Sequence, residues 1–125
     1  MNILLAVAAG GAIGAVGRYL VVTQVGHWLG LHYPFGTLAV NVIGSFLLAA
    51  LVEAAALAWS VGEALRAFLV VGVFGAFTTF SAFSLEVVLL FQRGEIVPAL
   101  LYAAGSVVLC VLAFAAGLHL VRAIL

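Results

Sequence analysis

Neutral polar side chains recur at helical spacing inside two long hydrophobic segments of this sequence. Thr37, Asn41 and Ser45 stand four residues apart and therefore share one face of a helix. The same spacing is found in a later segment for Tyr102, Ser106 and Cys110. Such side chains commonly bond membrane helices to one another. Two stripes of uncharged donors also fit a shared polar path between helices, and the presence of a second stripe favours this interpretation.

A third segment, Gly72–Ser84, carries two glycines, two consecutive threonines and two serines. Thr78 and Thr79 fall near the middle of this segment, at the expected centre of a membrane. A helix interrupted there would free backbone carbonyls that can bind a cation such as Na⁺. The alternative is a close-packed continuous helix in which each threonine bonds back to its own carbonyls. The spacing leaves both interpretations open.

Phenylalanine recurs every three residues in the same segment, at Phe74, Phe77, Phe80 and Phe83. Packing or contact with lipid is the default role of such aromatic residues. An aromatic ring also has a positive edge, so a phenylalanine presented edge-on in a dry pore could attract a small anion. Asn41 could then supply amide N–H groups to the same anion.

The composition identifies the setting in which these groups must act. Of 125 residues, 68% are hydrophobic and only 6% are charged, whereas a soluble domain is about one quarter charged. Soluble enzyme folds are therefore excluded, and the protein is predicted to be an all-α membrane protein and not an enzyme. The net charge of zero gives no basic surface for nucleic acid. One cysteine supports neither a disulfide framework nor a metal cluster.

The chain has room for four membrane crossings and little else, because a bilayer core takes about 20 helical residues. We expect one transmembrane domain over residues 1–125. Its predicted helices span approximately residues 3–24, 34–58, 65–92 and 96–122. Pro34 and Pro98 fall in the first turns of the second and fourth helices, where the missing N–H is harmless.

Arginines do not set an orientation for these crossings. Arg66 and Arg122 fall on one predicted side, and Arg18 and Arg93 on the other. The excess of positive charge that normally marks the cytoplasmic side is therefore absent. Either one charge or a partner decides the orientation, or the chain inserts both ways and pairs as an antiparallel dimer. Charge counting weights these two possibilities equally.

Three further features of the predicted spans have alternative roles. The Gly10–Gly14 pair indicates close packing of the first helix against a neighbour. Arg18 lies near a helix end, where it can snorkel to the interface or bond helix ends internally. Glu86 is the deepest acid of the third span, and it can snorkel, pair with an arginine or titrate near a pore mouth.

In three blocks, Gly10–Tyr19, Gly36–Phe46 and Gly72–Ser84, the sequence resembles the Fluc fluoride channels, also called the CrcB family. The resemblance covers nearly the whole chain. It implies a channel that passively exports fluoride across a bacterial or archaeal cytoplasmic membrane and so relieves fluoride toxicity. It also implies an antiparallel dual-topology homodimer with two pores and a broken third helix.

The resemblance assigns roles to particular residues. It implies that Phe80 and Phe83 contact fluoride through their ring edges and that Asn41 lies near the aqueous vestibule. The implied polar track consists of Thr37, Ser81, Tyr102 and Ser106. The backbone carbonyls of Gly75 and Thr78 would hold a structural Na⁺ on the dimer axis. The family's helix-one arginine and its acid near the pore match Arg18 and Glu86.

The sequence departs from the family pattern at three positions. Ala76 stands where a second glycine is usual and would make a positive φ costly there. Ala82 stands where threonine is usual, and Cys110 stands where a hydroxyl would be expected in the helix-four stripe. The rival functions are a small multidrug-type proton-coupled antiporter and a non-conducting scaffold. The antiporter is disfavoured because the first predicted helix carries no acid.

Overall fold

The computed structural model describes residues 2–125 as a bundle of long helices. Four helical stretches are long and apolar enough to cross a membrane: Ile3–Leu29, Phe35–Leu57, Glu63–Gln92 and Ile96–Ile124. Helices dominate because the bilayer interior offers no water to satisfy backbone N–H and C=O groups, which must therefore pair within each segment. The prediction of an all-helical protein with four candidate spans is confirmed.

The first two helices, α1 (Ile3–Leu29) and α2 (Phe35–Leu57), are joined by a short connection. Asn2 caps α1, since its side-chain oxygen accepts a hydrogen bond from the Leu4 N–H at 2.7 Å. The helix runs five residues beyond the predicted end at residue 24. It ends at Gly30, which has a φ of 84° and donates its N–H to the Gly26 carbonyl. The left-handed glycine, rather than the first polar residue, determines where α1 stops.

The third hydrophobic stretch consists of successive pieces. They are α3 (Glu63–Arg66), a π-helix (Ala67–Phe74), α4 (Gly75–Phe77) and α5 (Phe80–Gln92). Between α4 and α5, Thr78 has φ and ψ of −88° and 159°, and Thr79 has −153° and 122°. Both residues are extended. Ala76 is helical, and no non-glycine residue within 2–125 has a positive φ, so this alanine adopts its conformation without strain.

The last helix, α6 (Ile96–Ile124), packs along α2, while α1 packs on the π-helix. Glycines allow the second of these contacts. A Cβ on Gly10 would overlap the Phe68 carbonyl oxygen and lie 3.0 Å from Gly72 Cα. A Cβ on Gly14 would overlap the Val73 carbonyl oxygen. The close packing predicted for the Gly10–Gly14 pair is confirmed, and this contact fixes the π-helix just before the extended residues.

Adding a methyl group to this contact is expected to destabilise the bundle. In Gly10→Ala the obstacle is backbone, which cannot rotate away, so the helices must separate at a cost of about 1–3 kcal/mol. Thermal unfolding of the purified protein in detergent measures the effect. Gly11→Ala is the matched control, because a Cβ there meets no described atom within 4 Å. Equal unfolding midpoints for the two variants would contradict the expectation.

Charged and polar side chains form ion pairs at each end of the bundle. At one end, His32 Nε2 lies 3.0 Å from Glu95 Oε1, and Arg93 Nε lies 3.1 Å from Glu95 Oε2. Arg93 also donates to the His32 carbonyl at 2.9 Å, which closes a ring of contacts. We call these three residues the His32 cluster. At the opposite end, Arg122 of α6 pairs with Glu53 of α2 at 2.6 Å.

Candidate functional site

Two residues of each predicted polar stripe line the same groove of the bundle. The groove lies between α2, α5 and α6 and has a volume of about 360 Å³. We call it the asparagine groove. Its polar and aromatic lining includes Asn41, Ser45, Phe80, Phe83, Ser106 and Cys110. The groove thus brings together two residues of the helix-two stripe, two phenylalanines and two residues of the helix-four stripe.

Ser106 supplies the most distinctive group in this groove. Its side chain is only 5% exposed, and its Oγ has no hydrogen-bond partner among residues 2–125. A buried hydroxyl without a partner costs free energy, and most such groups in proteins are satisfied. The Ser106 hydroxyl is therefore available to a ligand that accepts a hydrogen bond.

Three aromatic rings of α5 and α6 follow one another in space. The centroids of Phe80 and Phe83 are 5.3 Å apart, and those of Phe83 and Tyr102 are also 5.3 Å apart. The rings are tilted by 34° and 48°. Phe80 is 74% exposed, so most of its ring faces away from its own chain. Its surface is free to contact lipid or another molecule.

A second groove, of about 320 Å³, opens between α1, α2 and α5. We call it the arginine groove. Its polar lining includes Arg18, Tyr19, Thr23, Thr37 and Glu86. The two candidates that the sequence left with several possible roles, Arg18 and Glu86, therefore line the same space, although no ion pair forms between them within residues 2–125.

Glu86 accepts hydrogen bonds from two predicted polar-track residues. Thr37 donates to Oε2 at 2.9 Å, and Tyr102 donates to Oε1 at 3.1 Å. Each carboxylate oxygen thus receives a hydroxyl, one from α2 and one from α6. Because the Tyr102 ring also packs on Phe83, this three-residue group connects the arginine groove to the aromatic residues of the asparagine groove.

Asn41 does not leave its whole amide free for a ligand. Its Oδ1 accepts the Thr79 N–H at 2.8 Å, and its Nδ2 donates to the Thr79 carbonyl at 3.0 Å. A side-chain amide carries two N–H donors, so one remains after these contacts. The backbone of Thr79 is thereby paired outside any helix, as a half-buried polar backbone requires.

The side chains of Thr78 and Thr79 make further hydrogen bonds between α4 and α5. Thr79 caps α5, since its Oγ1 accepts the Ala82 N–H at 3.1 Å. The Thr78 hydroxyl donates to the Phe74 carbonyl at 3.0 Å. Thr79 was absent from the predicted site residues. Its signal in the sequence was a threonine followed by a helix-forming segment, which is typical of an N-cap.

Two carbonyls lose the partners that a continuous helix would give them. The Thr79 N–H would reach the Gly75 carbonyl, but it donates to Asn41. The Ala82 N–H would reach the Thr78 carbonyl, but it donates to the Thr79 side chain. Backbone carbonyls are hard oxygen ligands suited to small cations. Side chains offer no alternative, since residues 2–125 contain no cluster of three or more His, Cys, Asp or Glu.

Ser81 lies apart from the other predicted polar-track residues. It lines neither groove among the described residues, it is exposed, and its hydroxyl lies 3.3 Å from Thr79 Oγ1. The role predicted for Ser81 has no contact supporting it within one chain.

Four apolar helices with polar grooves between them define a multi-pass membrane protein of the kind that includes small channels and carriers. Residues 5–118 match the family described as CrcB-like protein, Camphor Resistance (CrcB), and the chain belongs to the CrcB family. It is 53% identical over 122 residues to the fluoride-specific ion channel FluC of Rhodospirillum centenum, covering 98% of this chain and 97% of that protein.

Two further relatives carry the same name. The fluoride-specific ion channel FluC of Nitrobacter winogradskyi is 52% identical over 121 residues, which is 97% of this chain and 96% of the relative. That of Agrobacterium fabrum is 49% identical over 122 residues, covering 98% of this chain and 97% of the relative. The resemblance predicted from the three sequence blocks is confirmed.

Proposed function

We propose that this protein is a fluoride-specific ion channel that lets fluoride leave the cell passively and so relieves its toxicity. Relatives that are about 50% identical to this chain over nearly their whole length are named fluoride-specific ion channels. The observation in this chain that carries the proposal is the buried Ser106 hydroxyl, which has no partner among residues 2–125 and lines the asparagine groove together with Phe83. The protein is a multi-pass protein of the cell membrane and not an enzyme.

The chemistry of the asparagine groove suits a small, strongly hydrated anion. Conduction requires sites that are strong enough to replace water but weak enough to release the ion. A hydroxyl, one amide N–H and aromatic edges meet this requirement without a fixed positive charge. The groove lining contains no arginine, so nothing in it would trap the anion. Phe80, Phe83, Asn41 and Ser106 are the proposed fluoride contacts.

The proposed track continues through Thr37 and Tyr102, whose hydroxyls already meet at Glu86. Their hydroxyl oxygens can each donate only one hydrogen bond. Passage of fluoride along these two groups therefore requires them to turn from the carboxylate to the anion. When no fluoride ion is passing, Glu86 would accept the hydrogen bonds of the two hydroxyls. The positive charge of Arg18 would offset the negative charge of Glu86 in the arginine groove. We assign Ser81 to the part of the track that a second copy completes.

We further propose that the functional unit is an antiparallel dimer of two identical chains that contains two pores. The even division of arginines between the two ends supports insertion in both directions. The exposed ring of Phe80 supports contact with a second copy, because it lies beside the groove yet faces away from its own chain. In this arrangement Phe80 would complete a pore that the other chain begins.

The break between α4 and α5 suits a structural Na⁺ on the axis of such a dimer. The Gly75 and Thr78 carbonyls lack their helical partners, and Gly75 is exposed on the surface of the single chain. Two copies would bring four such carbonyls together, which is a reasonable share of the oxygen ligands that Na⁺ requires. The bound cation would stabilise the break and make the local potential more positive for an anion.

Release of ions from liposomes tests the proposed function. Vesicles that contain the purified protein and are loaded with fluoride are expected to release it within seconds after valinomycin is added, whereas chloride-loaded vesicles are expected to retain their ion. A fluoride electrode and a chloride electrode measure the two fluxes. Protein-free vesicles provide the baseline. Equal leakage of both ions, or no fluoride release from folded protein, would contradict the proposal.

The proton-coupled antiporter is not supported. That mechanism needs a membrane-embedded acid on the first helix, and α1 contains none. The relatives' names also agree with a channel.

A further inference from the structure

We infer that Asn41 is a positioning residue for the cation as well as a contact for the anion: by taking the Thr79 N–H, it keeps the Gly75 carbonyl free to bind Na⁺. The inference rests on the proposed cation site and assigns the residue that maintains it. It links the asparagine groove to the dimer axis through one side chain.

The hydrogen bonds at Thr79 provide the first step. In an α-helix each N–H bonds the carbonyl four residues earlier, so the natural partner of the Thr79 N–H is the Gly75 carbonyl. Asn41 Oδ1 accepts that N–H instead, at 2.8 Å, while Asn41 Nδ2 donates to the Thr79 carbonyl at 3.0 Å. Without the Asn41 side chain, the half-buried Thr79 N–H would have no partner. The acceptor that α-helical geometry would offer it is the Gly75 carbonyl.

The chemistry of asparagine provides the second step. A side-chain amide carries an acceptor oxygen and a donor nitrogen side by side, so it pairs with both backbone groups of Thr79 at once. Leucine has nearly the same shape but offers neither. Aspartate always offers an oxygen acceptor to the N–H, whether or not it is ionised. Asn41→Leu therefore keeps the shape of the side chain but removes the acceptor for the Thr79 N–H. Asn41→Asp keeps that acceptor but changes the charge of the groove.

The position of Asn41 provides the third step. It lines the asparagine groove, and so do Thr78 and Thr79. The second N–H of the amide remains available to a ligand in that groove. One side chain therefore contacts the proposed anion path and also holds the extended backbone from which the cation ligands project.

The test measures the response of protein stability to Na⁺, which does not depend on fluoride flux. Full-length protein in detergent is unfolded thermally in NaCl and in N-methylglucamine chloride at equal ionic strength. Wild-type protein is expected to unfold several degrees higher in NaCl, because a ligand that binds only the folded state stabilises it. Asn41→Asp is expected to retain this difference, and Asn41→Leu is expected to lose it.

Ser45→Ala is the matched control. Ser45 lies one turn further along the same face of α2 and lines the same groove, so its loss perturbs the groove but leaves the Thr79 contacts intact. This variant is expected to keep the wild-type response to Na⁺. A response to Na⁺ in Asn41→Leu equal to that of wild type would overturn the inference, as would loss of the response in Asn41→Asp.

Carbonyl chemical shifts of wild-type protein keep the inference testable should Asn41→Leu fail to fold. Addition of Na⁺ is expected to move the ¹³C resonance of the Gly75 carbonyl, while the Thr79 N–H shows a scalar coupling across its hydrogen bond to the Asn41 side-chain carbonyl both with and without Na⁺. A coupling from the Thr79 N–H to the Gly75 carbonyl in the absence of Na⁺ would overturn the inference. Wild-type protein that conducts fluoride but shows no response to Na⁺ would remove both the cation site and the inference, and would leave the channel function standing.

Discussion

Replacement of Asn41 with aspartate is expected to reduce fluoride flux at least a hundredfold at neutral pH. The substitution places a negative charge on the lining of the asparagine groove. Two unit charges 4 Å apart repel by about 4 kcal/mol at an effective dielectric constant of about 20, and each 1.4 kcal/mol corresponds to a factor of ten. Fluoride release from liposomes measures the loss.

The matched control for this charge is Gln92→Glu, which makes the same amide-to-carboxylate change at the exposed end of α5. That residue lines neither groove, so this variant is expected to conduct at nearly the wild-type rate. Undiminished flux in Asn41→Asp would mean that Asn41 acts only on the backbone of the third span and that no anion passes near it.

Phe80→Ile is expected to lower fluoride flux about tenfold while the protein stays folded. Isoleucine keeps an apolar side chain of moderate size but removes the ring and its positive edge. An interaction of an aromatic ring beyond its apolar area contributes about 0.5–1.5 kcal/mol, which corresponds to as much as tenfold at one site. The same liposome assay measures the effect, and size-exclusion chromatography checks that the particle size is unchanged.

Phe91→Ile serves as the control, because Phe91 is also an exposed phenylalanine of α5 but lines neither groove. Its substitution is expected to leave fluoride flux within twofold of wild type. An unchanged rate in Phe80→Ile, or an equal loss in both variants, would remove Phe80 from the proposed fluoride contacts.

The sequence predicted the four helical segments well because a single physical constraint determines them. Backbone groups in hydrocarbon must pair within their own segment, so long apolar stretches become helices. Helix ends depend on local backbone geometry instead. The prediction placed the end of α1 near Gln24 because the side chain is polar, whereas the helix continues to Leu29 and ends at Gly30, where φ is positive.

The polar stripes were recognised from spacing, but the partners of their side chains were not. That Asn41 and Ser106 line the same groove follows from the helical repeat together with the packing of α2 on α6. The contacts of Thr37 and Tyr102 with Glu86 depend on how α5 is rotated after the extended residues. The rotation cannot be predicted from the repeat of a continuous helix. Thr78 and Thr79 are extended, so the residues after them face other directions than they would if the helix continued unbroken.

Asn41 illustrates the same limit at one residue. An asparagine in mid-membrane predicts a hydrogen-bonded role, but the sequence could not tell that its partner is the backbone of Thr79, 38 residues away. The role of Thr79 as both helix cap and backbone partner was missed for the same reason. Contacts between different spans depend on how the helices pack in three dimensions. A single sequence indicates such contacts only where a polar side chain in the membrane needs a partner.

The His32 cluster joins two connections at one end of the bundle, whereas residues 2–125 form the Arg122–Glu53 pair at the opposite end. Two copies that cross the bilayer in opposite directions would present one imidazole to the outside and the other to the cytoplasm. Each membrane surface would then carry the His32 cluster of one copy and the Arg122–Glu53 pair of the other, so the two faces of the particle would be chemically identical.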